Sequence, residues 1–178
     1  GARYEEALTK YVWFHENVLK YEPSMSGVRL SFALSDWYRL GKVYPPALAK
    51  MEEIRDGVGK RITAHDGKKI SFEDFQEFAA INRTLEEEEK TVAMFKFVDQ
   101  RNPKAAKRVY RVADDALIGA KEYALCGKYL QPAESMSRAL EMFNIQSKMA
   151  VDSKHADLLR GSRDERFIED ASTLVALL

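Results

Sequence analysis

Apolar residues recur along this chain three or four positions apart and nowhere alternate over any length, which commits it to helices rather than strands. Ala7, Leu8, Tyr11, Phe14, His15, Val18 and Leu19 share one helical face, and Pro23 ends that run. Leu30, Ala33, Leu34 and Trp37 mark a second helix from Gly27 to Leu40, with Gly41 offered as its C-terminal cap. A third helix starts near Pro45, carries Ala47, Leu48, Met51 and Ile54, and is expected to end at Asp56-Gly57. Residues 57–70 read as a loop, since three glycines and the His65-Asp66-Gly67 turn sustain no period.

Ser71 caps the next helix, with Asp74 at the partner position of a capping box. Its stripe is Phe72, Phe75, Phe78, Ala79 and Asn82. Glu86 to Glu89 favour another helix start, because carboxylates stabilise the positive end of the dipole; that helix carries Val92, Phe95 and Val98 and ends before Pro103. A long helix is expected from about Lys104 to Cys126, and another from Pro132 to about Val151. Ser162 with Glu165 suggests a capping box for a last helix reaching Leu178.

Composition narrows the function classes. Lys+Arg and Asp+Glu are equal at 28 each, so no global field steers the chain toward nucleic acid or an anionic membrane. Cys126 is the only cysteine, which excludes an internal disulfide and any cysteine-based zinc site. It suits a reducing compartment, so a cytoplasmic location is the expectation, with a removed leader left open. No stretch approaches the roughly 20 apolar residues needed to cross a bilayer.

Two segments repeat. Gly41-Lys42-Val43-Tyr44-Pro45-Pro46-Ala47 and Gly127-Lys128-Tyr129-Leu130-Gln131-Pro132-Ala133 both read Gly-Lys, three residues, Pro-Ala, and lie 86 positions apart. Trp37 and Tyr123 stand four residues ahead of the two glycines, and Ile54 and Leu140 seven behind the alanines, which predicts equivalent buried positions for the two rings. Between these segments Phe75, Phe78, Ala79 and Asn82 are followed by Thr91, Phe95, Val98 and Pro103 at intervals of four, three and five.

That spacing resembles the second half of a tetratricopeptide repeat. Tyr4-Glu5-Glu6-Ala7-Leu8 and Leu19-Lys20-Tyr21-Glu22-Pro23 resemble the start and end of such a second helix, so the resemblance covers about residues 4–145. Trp37 takes the place of the usual tyrosine and Thr91 that of the small alanine. The resemblance implies an all-α chain of stacked antiparallel hairpins, at about 27–56, 71–102 and 104–151, closed by a helix over 163–178 in a single domain. It also implies a first helix preceding Tyr4. Stacking would complete cores that no hairpin buries alone. The concave face of such an array would be lined by Ser31, Ser35, Tyr38, Arg39, Gln76, Arg83 and Lys121. The lysine–asparagine clamp that some members use for C-terminal carboxylates is not visible.

No motif announces a reaction. His15-Glu16 begins like a zinc-protease helix, but Leu19 stands where the second histidine is required, and His65 and His155 lie far off. Gly57-Val58-Gly59-Lys60-Arg61 lacks the spacing, hydroxyl and strand of a phosphate loop. No nucleophile elbow exists, and Cys126 reads as a small buried hydrophobe. Arg101, Lys104, Lys107, Arg108 and Arg111 form a basic cluster whose last four members share one helical face, a candidate for phosphates or an acidic peptide. The expectation is therefore a non-catalytic protein- or peptide-binding scaffold without cofactor or metal; a basic module for an anionic polymer through 101–111 is the alternative. The apolar stripe of Phe167, Ile168, Ala171, Leu174, Val175 and Leu178 needs cover, by folding back on 133–151, by pairing with a second copy, or by continuing into further sequence.

Overall fold

A computed structural model describes residues 2–67, 69–151 and 156–176, with 65, 149–151, 156–160 and 170 by backbone alone. The described residues are mostly helical, without a strand. They fall into two compact units, Gly1–Ala120 and Lys121–Leu178. Among the described residues no helix is long and apolar enough to cross a membrane.

In the first unit, α1 runs Ala2–Tyr21 and stops at Pro23, as the sequence requires. The helix expected over Gly27–Leu40 is instead two, a single turn α2 (Ser26–Arg29) and α3 (Phe32–Val43). At the break the Ser31 hydroxyl donates to the Gly27 carbonyl at 2.7 Å. Arg29 and Leu30, which precede it, are both buried.

Gly41 does not cap α3, which continues to Val43. It is buried against the next helix, and a Cβ there would lie 2.4 Å from Leu48 Cδ2. The glycine is needed for close helix approach, not for a left-handed turn.

Helix α4 (Pro45–Thr63) likewise runs through Gly57 and Gly59, so residues 57–63 are helix and not loop. Met51, Arg55, Val58 and Ile62 form one buried row that carries the helix past the glycines. Their propensity cost of about 1 kcal/mol each is offset by burial. Gly59 packs under the Phe78 ring. A 3-10 turn, Ala64–Gly67, follows, with Asp66 and Gly67 left-handed at φ 57° and 70°.

The Ser71 cap is present: its hydroxyl accepts the Asp74 N–H at 3.2 Å and opens α5 (Phe72–Leu85). Glu86, left-handed at φ 61°, ends α5 and leads into α6 (Glu88–Arg101). Asn102 then caps α7 (Pro103–Gly119), its side chain accepting the Ala105 N–H at 3.1 Å. Within this unit α1 packs on α3, and α3 through α7 each pack on the next. Helix α3 also touches α5, and α5 touches α7. Leu34, Trp37, Ala47, Met51 and Ile81 fill the core between α3, α4 and α5.

The long helix expected over 104–126 ends at Gly119. Lys121 is left-handed at φ 60°, and a separate short helix α8 (Tyr123–Tyr129) starts the second unit. Gly127 lies inside α8 and does not cap it. Trp37 and Tyr123 are therefore not equivalent: Trp37 is 1% exposed and Tyr123 is 54% exposed. Helix α9 (Pro132–Val151) packs on α10 (Ala156–Ala176). Ser162 and Glu165 sit inside α10, so they form no N-terminal box. Residues of the C-terminal stripe do fold back on α9. The Phe143 and Phe167 rings lie 5.2 Å apart and Leu174 is buried, whereas Ile168 and Val175 stay exposed. Leu178 lies outside the described residues.

Candidate functional site

The first unit contains a groove of about 660 Å³. Two helices make its walls. Helix α5 contributes Gln76, Ala79, Ala80 and Arg83, an i, i+3, i+4, i+7 stripe on one face. Helix α7 contributes two adjacent rows, Arg111–Asp115–Gly119 and Val112–Ala116–Ala120, the last just past its end. Glu88, Glu89, Thr91 and Val92, from the first turns of α6, lie alongside them, and Leu30 reaches in from the break after α2. The size suits a small ligand or a short stretch of chain.

The groove is apolar where it is smooth and charged where it is not. Alanines and Gly119 give a low-relief surface that a backbone can approach closely. Arg83, Arg111, Glu88, Glu89 and Asp115 supply both signs of charge, and all five are exposed. Among the described residues none of the five makes an ion pair or side-chain hydrogen bond, although Arg111 and Asp115 both act electrostatically on the neighbouring Asp114. Most other arginines are committed: Arg39 to Asp36, Arg61 to Asp74, Arg101 to Asp66 and Arg163 to Asp164.

One neighbour of the groove titrates unusually. Burial pushes the Asp114 carboxyl up from 3.8 to about 6; Asp115 adds to the rise and the Arg111 charge opposes it. A raised carboxyl opposes folding once it ionises. The penalty is complete above about pH 6 and vanishes as pH falls through 3.8. Asp114→Asn is therefore expected to raise stability by about 1–2 kcal/mol at pH 7.5, allowing for partial solvation of the side chain. Denaturant melts across pH check this: the gain should shrink below pH 6 and be absent at pH 3.5.

The sequence-chosen residues distribute unevenly. Gln76 and Arg83, from the concave-face set, and Arg111, from the basic stripe, meet in the groove. Ser31, Ser35, Tyr38 and Arg39 do not line it. Tyr38 lies 3.4 Å from Glu86 and beneath the Lys42 ammonium at 4.3 Å. Lys121 is the first residue of the second unit.

The basic stripe is divided in the same way. Arg101 pairs with Asp66 at 2.9 Å and lies over the Phe97 ring, and Arg108 donates to the Ile70 carbonyl at 3.2 Å. Lys104 and Lys107 are exposed. Of the Glu86–Glu89 run, Glu87 holds the buried Arg55 together with Lys90, so it is a structural anchor.

Sequence reasoning missed a buried ionic cluster. Arg29 donates from Nε to the His15 carbonyl at 2.6 Å and from Nη2 to Glu77 at 2.8 Å. His15 Nε2 lies 3.0 Å from Glu77 Oε1, and its ring meets the Trp37 ring edge-on at 5.9 Å. Burial pushes the Glu77 carboxyl up, but the hydrogen bonds from His15 and Arg29 outweigh it and hold it at about 2. None of the three residues lines this groove, and their contacts tie α1, α2 and α5 together. The available signal was a polar residue at a core position of an apolar stripe, at His15, at Arg55 and at Asn82.

Among the described residues no group of three or more histidine, cysteine, aspartate or glutamate side chains is placed to hold a metal. The His65 side chain and His155 lie outside the described residues. Cys126 is buried in α8. No protein-family model, curated protein or solved structure matches the chain.

Proposed function

We propose that this chain is a non-catalytic scaffold that holds a segment of a partner protein in the α5–α6–α7 groove, on helical hairpins stacked in the manner of tetratricopeptide repeats. The observation that carries the reading is the groove itself: about 660 Å³, a small-residue surface, and uncommitted charges of both signs. The packing order is consistent with it. Helices α3, α5 and α7 touch in turn while α4 and α6 connect them, as first and second helices of stacked hairpins do. The basic-stripe alternative draws less support, because Arg101 and Arg108 are engaged within the fold.

The test is selection from a random peptide library displayed on phage, using the full chain as bait. Enriched peptides should bind the wild type and lose most of their binding to an Arg83→Glu/Arg111→Glu variant whose helical circular dichroism is unchanged. A library that yields no enriched peptide, or binders indifferent to the variant, would overturn the proposal.

A further inference from the structure

The groove's charge pattern fits one kind of segment. Arg111 and Asp115 stand one turn apart on the same row of α7, a rise of about 6 Å. At that spacing they could pair with each other, yet they do not. In an extended chain, residues i and i+2 lie about 7 Å apart and point to the same side. The α7 row from Arg111 to Gly119 rises about 12 Å, the length of about four extended residues. The lining also includes the small residues Ala79, Ala80, Ala116 and Gly119, which a peptide backbone can approach closely.

We infer that the groove takes a short extended peptide segment carrying an acidic and a basic side chain two residues apart, the acid over Arg111 and the base over Asp115. This rests on the scaffold reading above and names its partner's chemistry. Arg83, Glu88 and Glu89 add further charges of both signs to the groove's lining. A uniformly acidic segment would meet three carboxylates, and a uniformly basic one two guanidiniums, so each is repelled at one part of the groove. A segment with adjacent opposite charges sends them to opposite faces and presents only one to α7.

The experiment is a two-dimensional NMR titration of the isotopically labelled full chain with blocked peptides of equal length. Their cores are Asp-Ala-Lys-Ala, its reverse Lys-Ala-Asp-Ala, Asp-Ala-Asp-Ala, Lys-Ala-Lys-Ala, Asp-Lys-Ala-Ala and all-alanine. One of the first two, whichever runs in the bound direction, should shift the amides of Ala79, Ala116 and Gly119 and bind roughly tenfold tighter than the adjacent-charge and single-sign peptides. Asp115→Lys should transfer the preference to Asp-Ala-Asp-Ala, a rescue that a structural defect would not produce. If library-selected peptides shift the groove amides but the alternating peptides show no advantage over single-sign ones, this inference fails and the scaffold reading stands. If neither the designed nor the selected peptides move these amides, the scaffold reading fails with it.

Discussion

Glu77→Gln should destabilise the protein by about 3 kcal/mol at neutral pH, a large effect for an isosteric change of one side chain. The substitution keeps the shape of Glu77 and removes its charge. Arg29, 9% exposed, is then left in the interior with its cation unmatched, and His15 loses its carboxylate. The effect must depend on pH in a defined direction. Because Glu77 is held at about 2 against an ordinary 4.5, its ionised form contributes stability that is complete above pH 4.5 and lost as pH falls toward 2. Urea melts of wild type and variant at pH 7, 4.5, 3 and 2 check both statements: the gap should be widest at neutral pH and narrow from pH 4.5 downward. A gap that is small at pH 7, or that persists undiminished at pH 2, would show that the cluster is not held by charge.

Trp37→Ala should cost about 3–5 kcal/mol. The indole is 1% exposed, stacks on Tyr11 with ring centres 6.1 Å apart, and donates from Nε1 to the Ala47 carbonyl at 2.9 Å. That hydrogen bond fixes α3 against the first turn of α4, beside the close approach at Gly41. Trp37→Phe separates packing from hydrogen bonding, since it keeps a ring but loses the donor; its cost should be nearer 1 kcal/mol plus a small cavity term. Tyr123→Ala should stay within about 0.5 kcal/mol, because that ring is largely exposed. Thermal and denaturant unfolding of the three variants checks the order. A large loss at Tyr123 would restore the equivalence that the Gly-Lys-x-x-x-Pro-Ala repeat suggested.

The contrast between these two rings shows where a local pattern stops being informative. Trp37 and Tyr123 have matching sequence neighbourhoods, but α3 has α1, α4 and α5 packed around it, while α8 follows a left-handed Lys121 that breaks the expected long helix. The same limit applies to glycine. By sequence Gly41 suggests a left-handed cap, Gly57 a helix end and Gly59 part of a loop. All three lie within helices, and at Gly41 and Gly59 a neighbouring side chain occupies the space a Cβ would need. Propensity is worth about 1 kcal/mol, and a buried row such as Met51, Val58 and Ile62 outweighs it.

What the sequence determined by itself is what depends on near neighbours along the chain. The all-helical class follows from the spacing of apolar residues. The starts of α4, α7 and α9 follow from Pro45, Pro103 and Pro132, and the start of α5 from the Ser71 cap. Only the tertiary structure decided what depends on distant residues meeting. It brought Glu77 to His15 across 62 positions. It committed Arg101 to Asp66 across 35 and Arg108 to Ile70 across 38, and so dismantled a stripe that looked continuous. It left Arg83 and Arg111 uncommitted on facing helices. The physical reason is that capping and periodicity are settled within one or two turns of helix, whereas whether a charge is paired, buried or free depends on which other helix arrives beside it.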